Sequence, residues 1–140
     1  MNLAIHQTTA PSMPIDIVVI DDDQLTLEIV SWIFRGSQAS HRLFDDPDIA
    51  MTYLCESIPR ILIVDYYMPT QNGIEFLTQL KTVADLEECS VYLCSAVEPR
   101  TAQLEQVKAL RAQVLDKSKL CDRSVLLGLV ECGRYETGNK

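Results

Sequence analysis

A doubly wound α/β fold, with helices on both faces of one parallel sheet, is predicted for this chain from three observations. Short apolar runs alternate with helical apolar patterns five times between residues 15 and 133. The strongest runs, at residues 15–20, 61–64 and 91–94, are nearly continuous, as in strands covered on both faces. Polar residues follow four of the runs: Asp21 and Asp22, Asp65, Ser95, and Lys117. Alternating β and α elements imply a parallel sheet, and right-handed crossovers restrict its topology. The expected solution is a flavodoxin-like (βα)5 sheet of strand order 2-1-3-4-5, with strands one and three adjacent at the switch point.

Each element has its own signal. Strand one is Ile-Asp-Ile-Val-Val-Ile, residues 15–20. Asp23 then caps a helix with Leu25, Ile29, Val30, Ile33 and Phe34 on its buried side, closed by Gly36. Arg42, Leu43 and Phe44 make a weak second strand. Asp46 followed by Pro47 starts the second helix, with Ile49, Tyr53 and Leu54 as its stripe. Strand three, residues 61–64, leads into a loop punctuated by Asn72 and Gly73. The next helix buries Phe76, Leu77, Leu80 and Val83, and strand four follows at residues 91–94. Glu98 and Pro99 open a fourth helix with Leu104, Val107 and Leu110 inside. The fifth strand centres on Val114 and Leu115. A final helix uses Val125, Leu126, Leu129 and Val130 and stops near Gly133. The expected organisation is a flexible tail over residues 1–14, one domain over 15–133 and a polar tail over 134–140.

Composition narrows the function. The chain has 140 residues, 47% of them hydrophobic, enough for one packed domain. Its net charge of −8 repels nucleic-acid phosphates and anionic membranes, so direct nucleic-acid binding is not expected. The five cysteines, Cys55, Cys89, Cys94, Cys121 and Cys132, form no CxxC pair or Cys/His cluster. Cys55 and Cys94 fall in apolar patterns and are expected to behave as small hydrophobes. His6 and His41 have no ligand spacing. With no signal peptide or membrane span in the pattern, a reducing cytoplasmic location is expected.

Taken singly, the polar strand ends say little. Asp21, Asp22 and Asp23 could be a helix cap, Lys117 a solvated charge, and Ser95 a loop hydroxyl. Their joint placement is more informative. Adjacent strands lie about 4.8 Å apart, so Asp21, Asp22 and Asp65 would be near neighbours. Like charges at that range repel, and a divalent cation relieves the conflict; hard oxygen ligands favour Mg²⁺. A carboxylate beside such a metal can attack phosphorus and form an aspartyl phosphate. Asp65, after a wholly apolar run, is the candidate nucleophile, with Lys117 and Ser95 to hold phosphoryl oxygens.

The motifs Val-Val-Ile-Asp-Asp-Asp (18–23), Leu-Ile-Val-Asp-Tyr-Tyr-Met-Pro-Thr-Gln-Asn-Gly (62–73), Ser-Ala (95–96) and Asp-Lys-Ser (116–118) closely resemble the receiver domain of two-component response regulators, the CheY-like family. The resemblance runs from about Ile15 to Cys132. It implies that Asp65 is the phosphoacceptor, Asp22 a direct Mg²⁺ ligand and Asp21 an acid holding the metal through water. It further implies the backbone carbonyl of Tyr67 as a ligand, Ser95 as the switch hydroxyl and Lys117 as the phosphate-pairing lysine. The implied partners are a sensor histidine kinase or histidine phosphotransfer protein and a downstream protein target, with the chain a monomer or a phosphorylation-dependent dimer. No enzymatic activity is implied beyond Mg²⁺-dependent self-phosphorylation and dephosphorylation at Asp65.

Departures from the family pattern bear on switching. Val114 stands where the family usually has an aromatic residue, Ser118 where it usually has proline, and Leu110, Arg111, Ala112 and Gln113 replace a small, glycine-rich approach to strand five. Tyr67 and Val97 occupy positions that tune dephosphorylation in the family. A long-lived phosphoryl state is expected, because Tyr67 could shield Asp65 and Val97 offers nothing to orient water. Three alternatives stand beside a single-domain regulator. They are the receiver part of a longer regulator continuing past Lys140, a scaffold that no longer uses phosphate, and a phosphohydrolase acting through Asp21 and Asp23.

Overall fold

The computed structural model describes residues 13–138. Strands β1 (Ile17–Ile20) and β3 (Ile61–Asp65) are buried along their whole length. Their continuous apolar runs serve two cores at once, because side chains alternate between faces along a strand. Val18, Ile20, Leu62 and Val64 face one cluster, while Ile17, Val19, Ile61 and Ile63 face the other. With β2 (His41–Phe44), β4 (Ser90–Ser95) and β5 (Ala112–Asp116) they form one parallel sheet of order β2-β1-β3-β4-β5. The predicted topology is the observed one.

Helices α1 (Gln24–Arg35) and α5 (Arg123–Gly138) supply apolar side chains to one cluster: Leu27, Val30, Ile33 and Phe34, then Leu126 and Val130. A 3₁₀ turn, Lys117–Cys121, adds Leu120 there. Helices α2 (Pro47–Leu54), α3 (Gly73–Val83) and α4 (Thr101–Ala109) cover the other face. Among the described residues, no helix is long and apolar enough to cross a membrane.

Several sequence expectations need correction. Leu25, Ile49, Val83 and Leu104, each assigned to a buried stripe, are 65%, 58%, 56% and 42% exposed. The inner positions are instead Thr26 and Leu27 on α1, Ala50 on α2 and Ile74 on α3. Helix α4 starts at Thr101, after Glu98 and Pro99, and buries only Val107 fully. Cys94 is buried as expected, but Cys55 is exposed. Helix α5 does not stop near Gly133; it continues to Gly138. Gly133 is buried, and a Cβ there would lie 3.2 Å from Ile61 Cδ1, so the glycine allows close packing on β3 rather than ending the helix. Of the expected N-terminal tail, residues 1–12, with His6, lie outside the described residues. His41 is structural, its ring stacked on Phe34 with centroids 5.3 Å apart.

Candidate functional site

Strand register assembles the site. Ile20 is level with Val64, so the residues that follow them, Asp21 and Asp65, end adjacent strands. Asp65 is level with Cys94, and Ser95 with Asp116, which precedes Lys117. Asp21 is wholly buried, Asp65 is 4% exposed, and Asp22 faces solvent. One carboxylate oxygen from each of these three residues lies within 4.8 Å of the others.

Lys117 Nζ sits 2.9 Å from Asp21 Oδ2 and 3.4 Å from Asp65 Oδ2. One ammonium therefore faces two buried carboxylates, with a third carboxylate at the rim. Burial, then the charge of Asp21, push the Asp65 carboxyl up to about 7, against the pull of Lys117. Burial also works against the Lys117 ammonium, but the adjoining Asp21 and Asp65 outweigh it and raise its affinity for the proton.

The backbone fixes these carboxylates. The Asp23 N–H donates to Asp21 Oδ1 at 2.9 Å, which leaves Asp21 Oδ2 aimed at the shared space. That oxygen is buried and is paired with the Lys117 ammonium. Three carboxylates that share one ammonium, two of them buried, fit a hard divalent cation such as Mg²⁺. Asp23 is the helix cap: its carboxylate accepts from the Leu25 N–H at 3.1 Å and from Thr26 Oγ1 at 2.8 Å. Both oxygens are engaged in this way, which disfavours Asp23 as the free acid of a phosphohydrolase.

The loop after Asp65 is held by packing. Tyr66 N–H donates to Cys94 O, and Gly73 N–H donates to Tyr66 O, both at 2.8 Å. Asn72 is not simply turn punctuation. It caps α3 in a reciprocal box with Glu75. A Cβ on Gly73 would lie 2.4 Å from Leu93 Cδ2 and 2.8 Å from the Asp65 carbonyl oxygen. The glycine lets α3 start directly against the end of β3. Nothing local in the sequence distinguishes this close approach from a turn.

Ser95 stands at the next strand end, 6% exposed, with its hydroxyl turned into its own loop. Oγ donates to Val97 O at 2.6 Å and accepts from the Val97 N–H at 3.1 Å. Tyr67 is 56% exposed, its ring tilted against that of Tyr66 at 4.7 Å. Asp21, Asp22, Asp65 and Lys117 are thus brought together, with Ser95 on the neighbouring strand end and Tyr67 on the flanking loop. Sequence reasoning missed Gln103, whose Nε2 donates to Tyr66 Oη at 2.8 Å, because the two are far apart in the chain and have no shared motif.

The chain matches the family described as the response regulator receiver domain over residues 17–130. A protein-glutamate methylesterase/protein-glutamine glutaminase of Chromobacterium violaceum is 25% identical over 119 residues, 82% of this chain and 32% of the relative. The two-component response regulator ORR5 of Oryza sativa subsp. japonica is 28% identical over 115 residues, 76% of this chain and 86% of the relative. The chain therefore spans about a third of the methylesterase but most of the rice protein. Among solved structures, Vibrio cholerae chemotaxis protein CheY4 matches with a TM-score of 0.72 at 18% identity, covering 85% of this chain and 98% of that one. The N-terminal domain of a Wolinella succinogenes protein matches with a TM-score of 0.75 at 19% identity, covering 92% and 100%. Likeness at these identities shows the shared fold.

Proposed function

This chain belongs to the response regulator receiver domain family, and on that premise we propose that it accepts a phosphoryl group on Asp65 and thereby switches a protein-binding surface. The observation that carries the reading is the pairing of two buried carboxylates, Asp21 and Asp65, with the single ammonium of Lys117. A site needing only structural neutrality would match charges. This one is left with excess negative charge beside the candidate nucleophile.

Asp21, Asp22, Asp65 and the carbonyl of Tyr67 would hold Mg²⁺, which when bound supplies positive charge against the acceptor carboxylate and the phosphoryl oxygens. Asp65 attacks the phosphorus of a phosphohistidine on a sensor kinase or phosphotransfer protein. The P–O bond forms as the P–N bond breaks, its electron pair leaves on the imidazole nitrogen, and that nitrogen takes a proton from solvent. Lys117, already between Asp21 and Asp65, moves its charge onto a phosphoryl oxygen as Asp65 loses its own. The Ser95 hydroxyl leaves Val97 O for another phosphoryl oxygen. The downstream target is a protein, and dimerisation on phosphorylation is one form the output could take.

Acetyl phosphate with Mg²⁺, followed by mass mapping, tests the proposal. Covalent label is expected on Asp65, lost without Mg²⁺ and absent from Asp65→Asn. A wild-type protein that stays unlabelled supports the scaffold reading instead.

A further inference from the structure

Helix α4 is poorly anchored by burial. Among its residues only Val107 is fully buried, and Leu104 is 42% exposed. Burying one valine stabilises by roughly 2 kcal/mol, whereas ordering each residue costs about 1–2 kcal/mol. Nine residues therefore need other support.

That support converges on Gln103. Its Oε1 accepts from the Arg100 N–H at 2.8 Å and closes the first turn of α4. Its Nε2 donates to Tyr66 Oη at 2.8 Å. Tyr66 is the residue after Asp65, its backbone tied to Cys94 O and to Gly73 N–H, and its ring is partly buried against the core. A single amide thus links the first turn of α4 to the strand end carrying Asp65. The chain enters α4 through the segment from Ser95 to Arg100, in which Ser95 and Val97 are joined by a pair of hydrogen bonds. No aromatic ring is available at Val114, which is itself 38% exposed, to provide another link.

We propose that the Tyr66–Gln103 hydrogen bond is a latch that holds the first turn of α4 against the unmodified Asp65 loop, and that modification of Asp65 opens it. The opening step rests on the phosphoacceptor reading above; the latch itself does not. A phosphoryl oxygen on Asp65 competes for the Ser95 hydroxyl, which now donates to Val97 O. Once Val97 is released, the 96–100 segment shifts, and Arg100 and Gln103 move with it. Tyr66 stays in place through its backbone bonds, so the amide separates from the phenol. Gln103 and Tyr66 are positioning residues; neither touches the transferred group.

Amide hydrogen exchange at Leu104–Val107 reads the latch. Leu104 N–H donates to Arg100 O at 2.9 Å, the first helical bond of α4. Tyr66→Phe keeps the ring and removes only the hydroxyl. It is expected to speed exchange at these amides at least tenfold in the unmodified protein, leaving β1 and β3 amides unchanged. Gln103→Glu keeps an acceptor for Arg100 N–H and can accept from Tyr66 Oη, so it should exchange within twofold of wild type. Wild type loaded with beryllofluoride and Mg²⁺ should reach the Tyr66→Phe rate, and Tyr66→Phe should speed up no further on loading. Unchanged exchange in Tyr66→Phe overturns the latch even if Asp65 takes beryllofluoride. Faster exchange in Tyr66→Phe, with no beryllofluoride on wild-type Asp65, overturns the phosphoacceptor reading and the opening step together.

Discussion

The half of the sheet around β1 and β3 and the half ending at β5 differ in how they are held, although β2, like β5, is an edge strand with no buried residue. On one side, β1 and β3 are buried at every position, and Gly73 and Gly133 bring α3 and α5 into direct contact with β3. On the other, β5 has no fully buried residue, and α4 buries one. The approach to β5 is strained as well: Arg111 has φ 58°, the left-handed region that favours glycine. The candidate acceptor Asp65 ends the rigid half, whereas the surface proposed to switch belongs to the loose half. Nucleophile geometry requires a fixed frame, while switching requires a unit that opens at low free-energy cost.

Replacing the candidate acceptor should break this contrast most completely. Asp65→Asn is expected to abolish acetyl-phosphate labelling while the fold persists, as mass mapping and circular dichroism would show. Gly73→Ala strikes the rigid half. Its Cβ would overlap Leu93 and the Asp65 carbonyl, so a loss of about 2–3 kcal/mol is expected in urea unfolding. The same substitution should slow labelling, because α3 and the end of β3 must separate.

The pH dependence sharpens the comparison next. With the Asp65 carboxyl pushed up to about 7, the folded protein holds a proton there that the unfolded chain has released. Stability from this group is therefore present below the ordinary carboxyl range and is lost as pH rises to about 7. Metal-free Asp65→Asn should have a flatter Tm profile across pH 4–7 than wild type. Mg²⁺ should raise the wild-type Tm more at pH 8 than at pH 5, and equal shifts would contradict the three-carboxylate site. The smallest effect belongs to the loose half: Arg111→Gly removes the left-handed strain and should stabilise by about 0.5–1 kcal/mol, without altering the labelling of Asp65.

Much of the rigid half was legible in the chain, for a physical reason. A strand buried on both faces must be apolar at successive positions, so residues 17–20 and 61–64 announced themselves, as did the polar residues ending them. Helix faces were less legible. In α2, α3 and α4 a shift of one position separates Ile49 from Ala50, and surface apolar residues such as Val83 and Leu104 mimic a stripe. Gly73 and Gly133 were misread because both serve a distant close approach, and local pattern cannot show one. In the site, strand order selected Asp21, Asp22, Asp65, Ser95 and Lys117. It could not show that Asp21 is sealed while Asp22 is open, or that Ser95 is bonded to Val97. The Gln103–Tyr66 contact depends on tertiary placement alone.

Cys94 gives the molecule an internal stopwatch. Its thiol is buried one residue before Ser95, and burial pushes it up to about 12, so thiolate is scarce at neutral pH. Cys55, Cys121 and Cys132 are exposed and will react with an alkylating reagent at once. Cys89 is held up to about 12 by burial too, so peptide mapping separates its slow adduct from that on Cys94, and the Cys94 adduct times how often the strand end beneath Ser95 breathes, with no foreign probe engineered into the protein.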